Sequence, residues 1–219
     1  MTVSFSLSRA SLRPDSLTSF INHAIVSGGG GAVDASHQAV WSLFPGREKN
    51  DRCFAFRTQV NGGKPTFLIA SAMPPEDRNN WFDVETKTVN IEDPVGRTFA
   101  FKIHDANTSA SSGRHGGRKI DVVARSIAKA KASGAPFDKE QVTEEAVKWW
   151  LARRNVGFEA RDVEVTASRR EDHRGVLVPL SDIQGLMTVT DSSAFMNALV
   201  TGVGRGGGFG RGFLSISRA

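Results

Sequence analysis

The sequence contains a single cysteine, no tyrosine and no long apolar run. Because Cys53 has no second cysteine to pair with, an intrachain disulfide and a zinc site built from several thiolates are both excluded. No apolar run approaches the roughly 18 residues that a membrane-spanning helix requires. The start of the chain also lacks the basic segment and apolar core of a secretion signal. We therefore expect a cytoplasmic protein with no membrane partner.

The rest of the composition is that of a globular protein. Of the 219 residues, 39% are hydrophobic and 23% are charged, which argues against a chain that is disordered throughout. The length exceeds one minimal domain and is sufficient for two compact halves of about 100 residues each.

Positive charge is concentrated in the second half of the chain. Residues 1–96 contain 9 Lys and Arg against 10 Asp and Glu, whereas residues 97–219 contain 19 against 13. A basic surface on one region suits a polyanion such as nucleic acid, because clustered cations bind phosphates and release counterions. The alternative is that the charge serves only solubility, and the composition is compatible with both interpretations.

Residues 1–92 have the pattern of a β-α-β-β-α-β unit. The predicted elements are a strand at 3–7, helices at 17–26 and 34–44, strands at 53–60 and 66–71, a short helix or turn at 73–76 and a strand at 81–91. Asp34 is a good N-cap for its helix, and Pro45-Gly46 ends it. Asn61-Gly62-Gly63 is a hairpin signal, so the strands on either side of it are expected to pair antiparallel.

The second half repeats this order. Its predicted elements are a strand at 98–103, a Ser/Gly-rich loop at 106–117, a short strand at 119–123, a helix at 138–154, extended stretches at 158–167 and 176–189 around a charged tip, a helix at 191–200 and a strand at 213–216. We therefore predict an α+β fold of two tandem ferredoxin-like (βαββαβ, RRM-like) domains with antiparallel sheets. The expected domains are residues 1–93 and 97–219, separated at Asp93-Pro94-Val95-Gly96.

Residues 202–212, GVGRGGGFGRG, contain the dinucleotide pattern G-x-G-x-x-G. That fingerprint requires a strand before it and a helix after it, whereas this segment follows a predicted helix near the end of the sequence. The glycines instead offer backbone N–H groups beside Arg205 and Arg211, which suits phosphate or RNA backbone. A flexible linker or a strand bulge is the structural alternative.

Five histidines are present, and none has the spacing of a metal site. We therefore predict no metal. His37 lies in the first turn of the helix predicted at 34–44, on the face that also carries Trp41 and Phe44. The residues alone leave two roles open for it, a partly buried packing histidine or a catalytic one.

Four blocks of the chain resemble a known family. Residues 37–46 (HQAVWSLFPG) and 52–57 (RCFAFR) resemble the H-x-x-x-W-x-L-F-P and R-x-F-x-F-R blocks of the CasE family, the CRISPR repeat-processing endoribonucleases of the type I-E Cascade complex. Residues 202–216 are similar to the family's C-terminal glycine-rich loop and final strand. Residues 99–107 resemble the strand that opens its second domain. The blocks occur in family order and span nearly the whole chain.

The resemblance implies a metal-independent ribonuclease without a cofactor, which cleaves CRISPR repeat RNA at the base of a hairpin and keeps the crRNA bound among the other Cascade subunits. His37 aligns with the family's active-site histidine. Some members have a tyrosine three residues earlier, where this chain has Asp34. Because the chain has no tyrosine, a phenol is excluded as a proton carrier.

The implied reaction is attack of a ribose 2′-hydroxyl on the adjacent phosphorus, with loss of the 5′-oxygen and formation of a 2′,3′-cyclic phosphate. His37 can act as the acid or as the base, since its ordinary pKa of about 6.5 allows both. Asp34 either orients His37 or caps the helix. The predicted RNA-binding residues are Arg114, Arg118, Lys119, Arg169, Arg170, Arg174, Gly202, Gly204, Arg205, Gly206, Gly210 and Arg211.

Two other functions are compatible with the sequence. One is a catalytically inactive RNA-binding subunit of the same fold, in which Asp34 marks the loss of cleavage. The other is a small-molecule-binding tandem protein whose glycine-rich loop holds a nucleotide.

Overall fold

The computed structural model describes residues 2–26, 32–47, 51–61, 64–111, 119–173 and 175–219. Within these ranges, no helix is both long enough and apolar enough to cross a membrane. The described residues form two four-stranded antiparallel sheets, one in each half of the chain, with helices packed against them.

The first sheet has the strand order β2-β3-β1-β4. Its strands are β1 (Thr2–Leu12), β2 (Phe54–Asn61), β3 (Lys64–Ser71) and β4 (Phe82–Glu92), and the helices α1 (Leu17–Val26) and α2 (Ala32–Trp41) connect β1 to β2. β2 and β3 pair antiparallel, as the hairpin signal between them predicts. The central strand β1 pairs with β3 on one side and with β4 on the other.

One expectation for the first half is wrong. Of the two alternatives expected at residues 73–76, a short helix or a turn, the helix does not form, because Pro74 and Pro75 provide no backbone N–H for a helical hydrogen bond. The helix α2 begins at Ala32 and not after Asp34, since Ala32 and Val33 continue the helical backbone. Asp34 is therefore the third residue of α2 and cannot be its N-cap, and its side chain lies outside the described part of the structure.

The second sheet repeats this arrangement with the order β10-β5-β9-β8. Its strands are β5 (Thr98–Asn107), β8 (Phe158–His173), β9 (Val176–Val189) and β10 (Phe213–Arg218). The helices of this half are α3 (Val122–Ala132), α4 (Lys139–Ala152) and α5 (Ser192–Thr201), and a small ladder of β6 (Ser109–Ser111) with β7 (Lys119–Asp121) precedes α3. The side chains of Asp138 and Asp191 cap α4 and α5. The predicted tandem ferredoxin-like fold is confirmed.

The helix α5 packs against both sheets and joins the two halves of the chain. Its buried residues Phe195 and Leu199 belong to the same core as Val3 of β1. Ala55 and Ala70, which pair across β2 and β3, contribute small side chains to this core. Small side chains at this position let the helix approach the sheet closely. We propose residues 1–93 and 97–219 as the two folding units that share this core.

A second core covers the opposite face of the first sheet. Phe54 and Phe56 alternate with Ala55 along β2, so their rings point to the face that α1 and α2 cover. There they pack with Val40 and Leu43, which are completely buried. This packing fixes the position of α2 on the sheet.

The glycine-rich segment between α5 and β10 is a compact turn, so it is not a free linker. Val203 N donates to the carbonyl of Gly212, and Gly212 N donates to the carbonyl of His104 on β5, both at 2.8 Å. Gly212 has a φ of +73°, and a Cβ there would lie 2.2 Å from the carbonyl oxygen of Val203. Glycine is therefore required where this turn closes.

A contact between Arg57 and His104 links the edge of the first sheet to the second. Arg57 Nη1 lies 3.1 Å from Nε2 and 3.2 Å from Nδ1 of His104. Burial, followed by the positive charge of Arg57, lowers the pKa of His104 to about 4. The imidazole of His104 is consequently neutral near pH 7.

We expect Gly212→Ala to destabilise the fold by about 2–5 kcal/mol, because the new Cβ adds a steric clash to an unfavourable φ. Gly46→Ala is the matched control. Gly46 has a similar φ of +79°, and nothing lies within 4 Å of the point where its Cβ would stand, so we expect a loss of only about 1 kcal/mol. Chemical denaturation measures both values, and equal losses would contradict close packing at the turn.

We also expect acid to weaken the fold through His104. Its pKa is about 4 in the folded protein and about 6.5 in the unfolded chain, so the unfolded chain binds more protons between these values. The stabilisation by the neutral imidazole is complete above about pH 6.5 and decreases as the pH falls towards 4. NMR titration of His104 should give a midpoint near pH 4, and Arg57→Gln should raise it. A wild-type midpoint above pH 6 would contradict this account.

Candidate active site

His37 of α2 lies against the glycine-rich turn of the other half of the chain. Its ring is half-buried, and Nδ1 is 2.5 Å from the carbonyl oxygen of Gly208. Because a carbonyl oxygen only accepts hydrogen bonds, Nδ1 is the donor. A proton that His37 gives up or takes in a reaction therefore moves at Nε2.

Two aromatic side chains fix the orientation of the His37 ring. Phe209 stacks on it with the ring centroids 4.6 Å apart and an interplanar angle of 20°. Trp41, one helical turn further along α2, meets it edge-on at 5.9 Å. With the hydrogen bond to Gly208, these contacts hold the imidazole on three sides.

The position of His37 within α2 differs from the sequence-based expectation. It is the sixth residue of the helix and not part of the first turn, because α2 begins before Asp34. The field of a helix N-terminus falls off within about one turn, so its influence on His37 is weaker than expected.

Arg52 places a positive charge beside His37. Its Nη2 donates a hydrogen bond to the carbonyl of Thr201 at 2.7 Å. Arg52 and His37 both lie next to Gly208, because a Cβ built on this glycine would be 3.5 Å from Arg52 Nη1 and 3.5 Å from the His37 ring. Burial lowers the pKa of Arg52 below its ordinary value. A guanidinium that is poorly hydrated interacts more strongly with an anion placed beside it.

The end of the β8–β9 hairpin packs onto the same turn. His173, the last residue of β8, contacts Phe209 with the ring centroids 4.9 Å apart. Glu171, on the same face of β8, forms a 2.8 Å ion pair with Arg211. The rings of His37 and His173 both contact Phe209, with centroid separations of 4.6 Å and 4.9 Å. The two imidazole centroids therefore lie no farther apart than the sum of these two distances.

Arg52, Phe209 and His173 are site residues that the sequence analysis did not single out. Arg52 is the first residue of the 52–57 block and Phe209 lies in the glycine-rich segment, so both occur in segments already noted. Nothing in the sequence signals that His173 lies near His37. That proximity arises only when the hairpin folds over the turn.

The predicted RNA-binding side chains have three different surroundings. Arg169 and Arg170 are exposed on β8 and form ion pairs with Asp105 and Asp121. Arg205 is exposed on the glycine-rich turn, whereas Arg211 is only 5% exposed and held by Glu171. Arg211 anchors the turn through its ion pair with Glu171, and its contact with RNA stays a prediction.

The remaining predicted positions are structural or lie outside the described part. Lys119 begins β7, and Arg114, Arg118 and Arg174 lie outside the described residues. Gly202, Gly204, Gly206 and Gly210 all have positive φ. Gly204 packs on Trp150 and Gly210 on Phe56, so these two glycines fit the turn to the protein itself. Among the described residues, no group of three or more His, Cys, Asp or Glu side chains could hold a metal ion.

Solved structures share this fold over almost their whole length. Cse3 from Thermus thermophilus, bound to an RNA representing a pre-cleavage complex, is 16% identical with a TM-score of 0.66, covering 98% of this chain and 99% of that one. Cas6e from Escherichia coli K-12 is 20% identical with a TM-score of 0.61, covering 98% and 100%. A chain of a CRISPR RNA-guided surveillance complex is 16% identical with a TM-score of 0.55, covering 98% and 100%.

The sequence comparisons identify the family. No curated protein matches the chain. The model of the family described as CRISPR associated protein matches residues 6–218, which is nearly the entire sequence. This match agrees with the resemblance carried by the blocks around His37 and the glycine-rich turn: the chain belongs to the CRISPR associated protein family.

Proposed function

We propose that this protein is a metal-independent endoribonuclease that cleaves CRISPR precursor RNA at the base of the repeat hairpin. It then stays bound to the processed crRNA within a Cascade-type complex. The observation that carries this proposal is the His37 imidazole, held by Gly208 and Phe209 with the Arg52 guanidinium beside it. The structural neighbours named as CRISPR endoribonucleases support the same activity.

The proposed reaction is an intramolecular transesterification. The ribose 2′-oxygen forms a bond to the adjacent phosphorus, and the bond from phosphorus to the 5′-oxygen breaks. The products are a 2′,3′-cyclic phosphate and a 5′-hydroxyl. One proton leaves the 2′-hydroxyl and one is added to the departing 5′-oxygen, so the step needs a base and an acid.

His37 performs one of these proton transfers through Nε2. The hydrogen bond from Nδ1 to Gly208 fixes which nitrogen exchanges the proton. The rings of Phe209 and Trp41 limit rotation of the imidazole, so Nε2 keeps its direction while the substrate reacts.

We assign the second proton transfer to His173. His173 contacts the Phe209 ring, on which His37 also stacks. His173 is half-buried at the end of β8. Two imidazoles near one phosphate can supply both the acid and the base of a transesterification. This arrangement removes the need for a phenol in a chain that has no tyrosine.

Arg52 stabilises the negative charge that develops on the phosphorane. Its guanidinium is held by the carbonyl of Thr201 next to Gly208, so it is oriented before the substrate arrives. Charges that are oriented in advance stabilise a transition state without further reorganisation. Arg169 and Arg170 on the hairpin are suited to hold the phosphates of the RNA stem, together with Lys119.

A catalytically inactive RNA-binding subunit of the same fold is the second candidate. The observation that favours it is Asp34, three residues before His37 where some relatives of the CasE type have tyrosine. A nucleotide held by the glycine-rich turn is disfavoured, because Arg52, Phe56 and Trp150 occupy the space over its glycines.

We expect His37→Ala to slow cleavage of repeat RNA by about 10²- to 10⁴-fold, because one proton transfer loses its carrier. Gel assays in EDTA measure the rate. RNA affinity should change little, and RNA with a 2′-deoxyribose before the cut should remain intact with wild-type protein. His104→Gln is the control, since it alters a histidine on β5, away from α2, and keeps an acceptor for Arg57. Wild-type protein that binds repeat RNA without cutting it would favour the inactive subunit.

We expect Arg52→Gln to lower the cleavage rate at saturating RNA by about 10²- to 10³-fold, because the phosphorane loses a pre-oriented cation. Arg47→Gln is the matched control. Arg47 is half-buried and paired with Asp51 away from His37, so its loss should change the rate by no more than about twofold. Thermal denaturation checks that both variants fold. Equal effects of the two substitutions would exclude a role for Arg52 in the reaction.

A further inference from the structure

Three arginines surround a small cavity at the end of α4, away from the residues assigned to cleavage. The cavity has a volume of about 190 Å³. Its charged lining consists of Arg153 and Arg154 after α4 and Arg205 from the glycine-rich turn. Within the described part of the chain, none of the three forms an ion pair with a carboxylate. The cavity therefore gathers positive charge without a neutralising partner.

The cluster has an electrostatic cost in the absence of a ligand. Burial, followed by the positive charge of Arg205, lowers the pKa of Arg154 from its ordinary value. Arg154 donates to the carbonyl of Ser109 at 3.1 Å and covers the ring of Trp150, so it is held in place. An anion in the cavity would offset the repulsion between the guanidinium groups.

Trp149 stands beside the cavity and is 50% exposed, which is unusual for the largest apolar side chain. The guanidinium of Arg153 lies 4.8 Å from the centre of its ring. Trp149 also borders a groove of about 650 Å³ between α3 and α4. The groove includes apolar side chains such as Ile120 and Val122. One tryptophan thus separates a cationic cavity from a largely apolar groove.

We propose that this is a binding subsite for an unpaired ribonucleotide of the substrate RNA, with a phosphate in the arginine cavity and the base against Trp149 in the groove. The proposal rests on the proposed function in that RNA is the ligand. The flat apolar face of a base matches the groove beside Trp149, and the negative charge of its phosphate matches the arginine cavity. Exposed aromatic side chains next to arginines are typical of proteins that bind single-stranded nucleic acid.

The glycine-rich turn connects this subsite to the cleavage site. Arg205 lines the cavity, and Gly208, three residues later, accepts the hydrogen bond from His37. Three residues of extended chain span at most about 11 Å. A strand that fills the subsite is therefore held by the segment that positions the imidazole, so the subsite acts on the unpaired RNA next to the cleaved linkage.

The test compares binding of two RNAs, a repeat hairpin with unpaired flanks and the same hairpin without them. Both carry 2′-deoxyribose before the cut, so that cleavage does not interfere. Trp149→Ala should weaken binding of the flanked RNA about tenfold, the loss expected for one stacked base, and leave the blunt hairpin unaffected. Trp149→Phe keeps an aromatic face and should retain most of the affinity. Fluorescence anisotropy measures the wild type and both variants with each of the two RNAs.

Arg153→Gln and Arg205→Gln test the phosphate contact. Each should reduce the slope of log affinity against log salt by about 0.7 for the flanked RNA. Arg218→Gln is the control, because Arg218 is exposed at the far end of β10 and its substitution removes the same charge. Thermal denaturation verifies folding of every variant.

The outcomes separate this subsite from the proposed cleavage activity. Variants that bind the flanked RNA with wild-type affinity and salt slope, or that lose affinity equally for the blunt hairpin, would overturn the subsite. Wild-type protein that fails to cut unmodified repeat RNA would overturn the cleavage activity, and the subsite would still stand if the effects on flanked RNA are observed.

Discussion

The hydrogen bond between His37 and Gly208 is the contact on which the proposed site depends. It joins a helix of the first half to a turn near the end of the second, 171 residues further along the chain. The bond forms only because α5 holds the two sheets together and because α2 is fixed on the first sheet by its phenylalanine core. The geometry of the proposed site is therefore a property of the joined halves.

The glycine-rich turn supports this contact through its backbone. Its closure requires a backbone approach that a side chain at Gly212 would block, and its anchoring uses the buried ion pair of Arg211 with Glu171. The same turn carries Phe209, against which both His37 and His173 pack, and Arg205, which faces the arginine cavity. One short segment thus links the proposed site of proton transfer, the hairpin and the proposed nucleotide subsite.

Much of the fold and part of the site could be predicted from the sequence. Alternating apolar residues indicated the strands, and His37 and the glycine-rich segment were noted from their patterns. The N-cap predicted at Asp34 was wrong, because two additional helical residues precede it. The ion pair that holds Arg211 to Glu171 could not be predicted, because the two residues are 40 positions apart in the chain. The proximity of His173 and Arg52 to the turn depends on packing between distant segments, which local patterns do not encode.

The order of these segments along the chain has a consequence for synthesis. A ribosome makes His37 early, whereas Gly208 is added only after both sheets have most of their strands. An unfinished chain therefore has the imidazole without its carbonyl partner or the Phe209 ring. If the proposed cleavage requires that arrangement, a nascent polypeptide cannot cut nearby transcripts while it is still being translated, and the proposed activity arises only once the glycine-rich turn has been made.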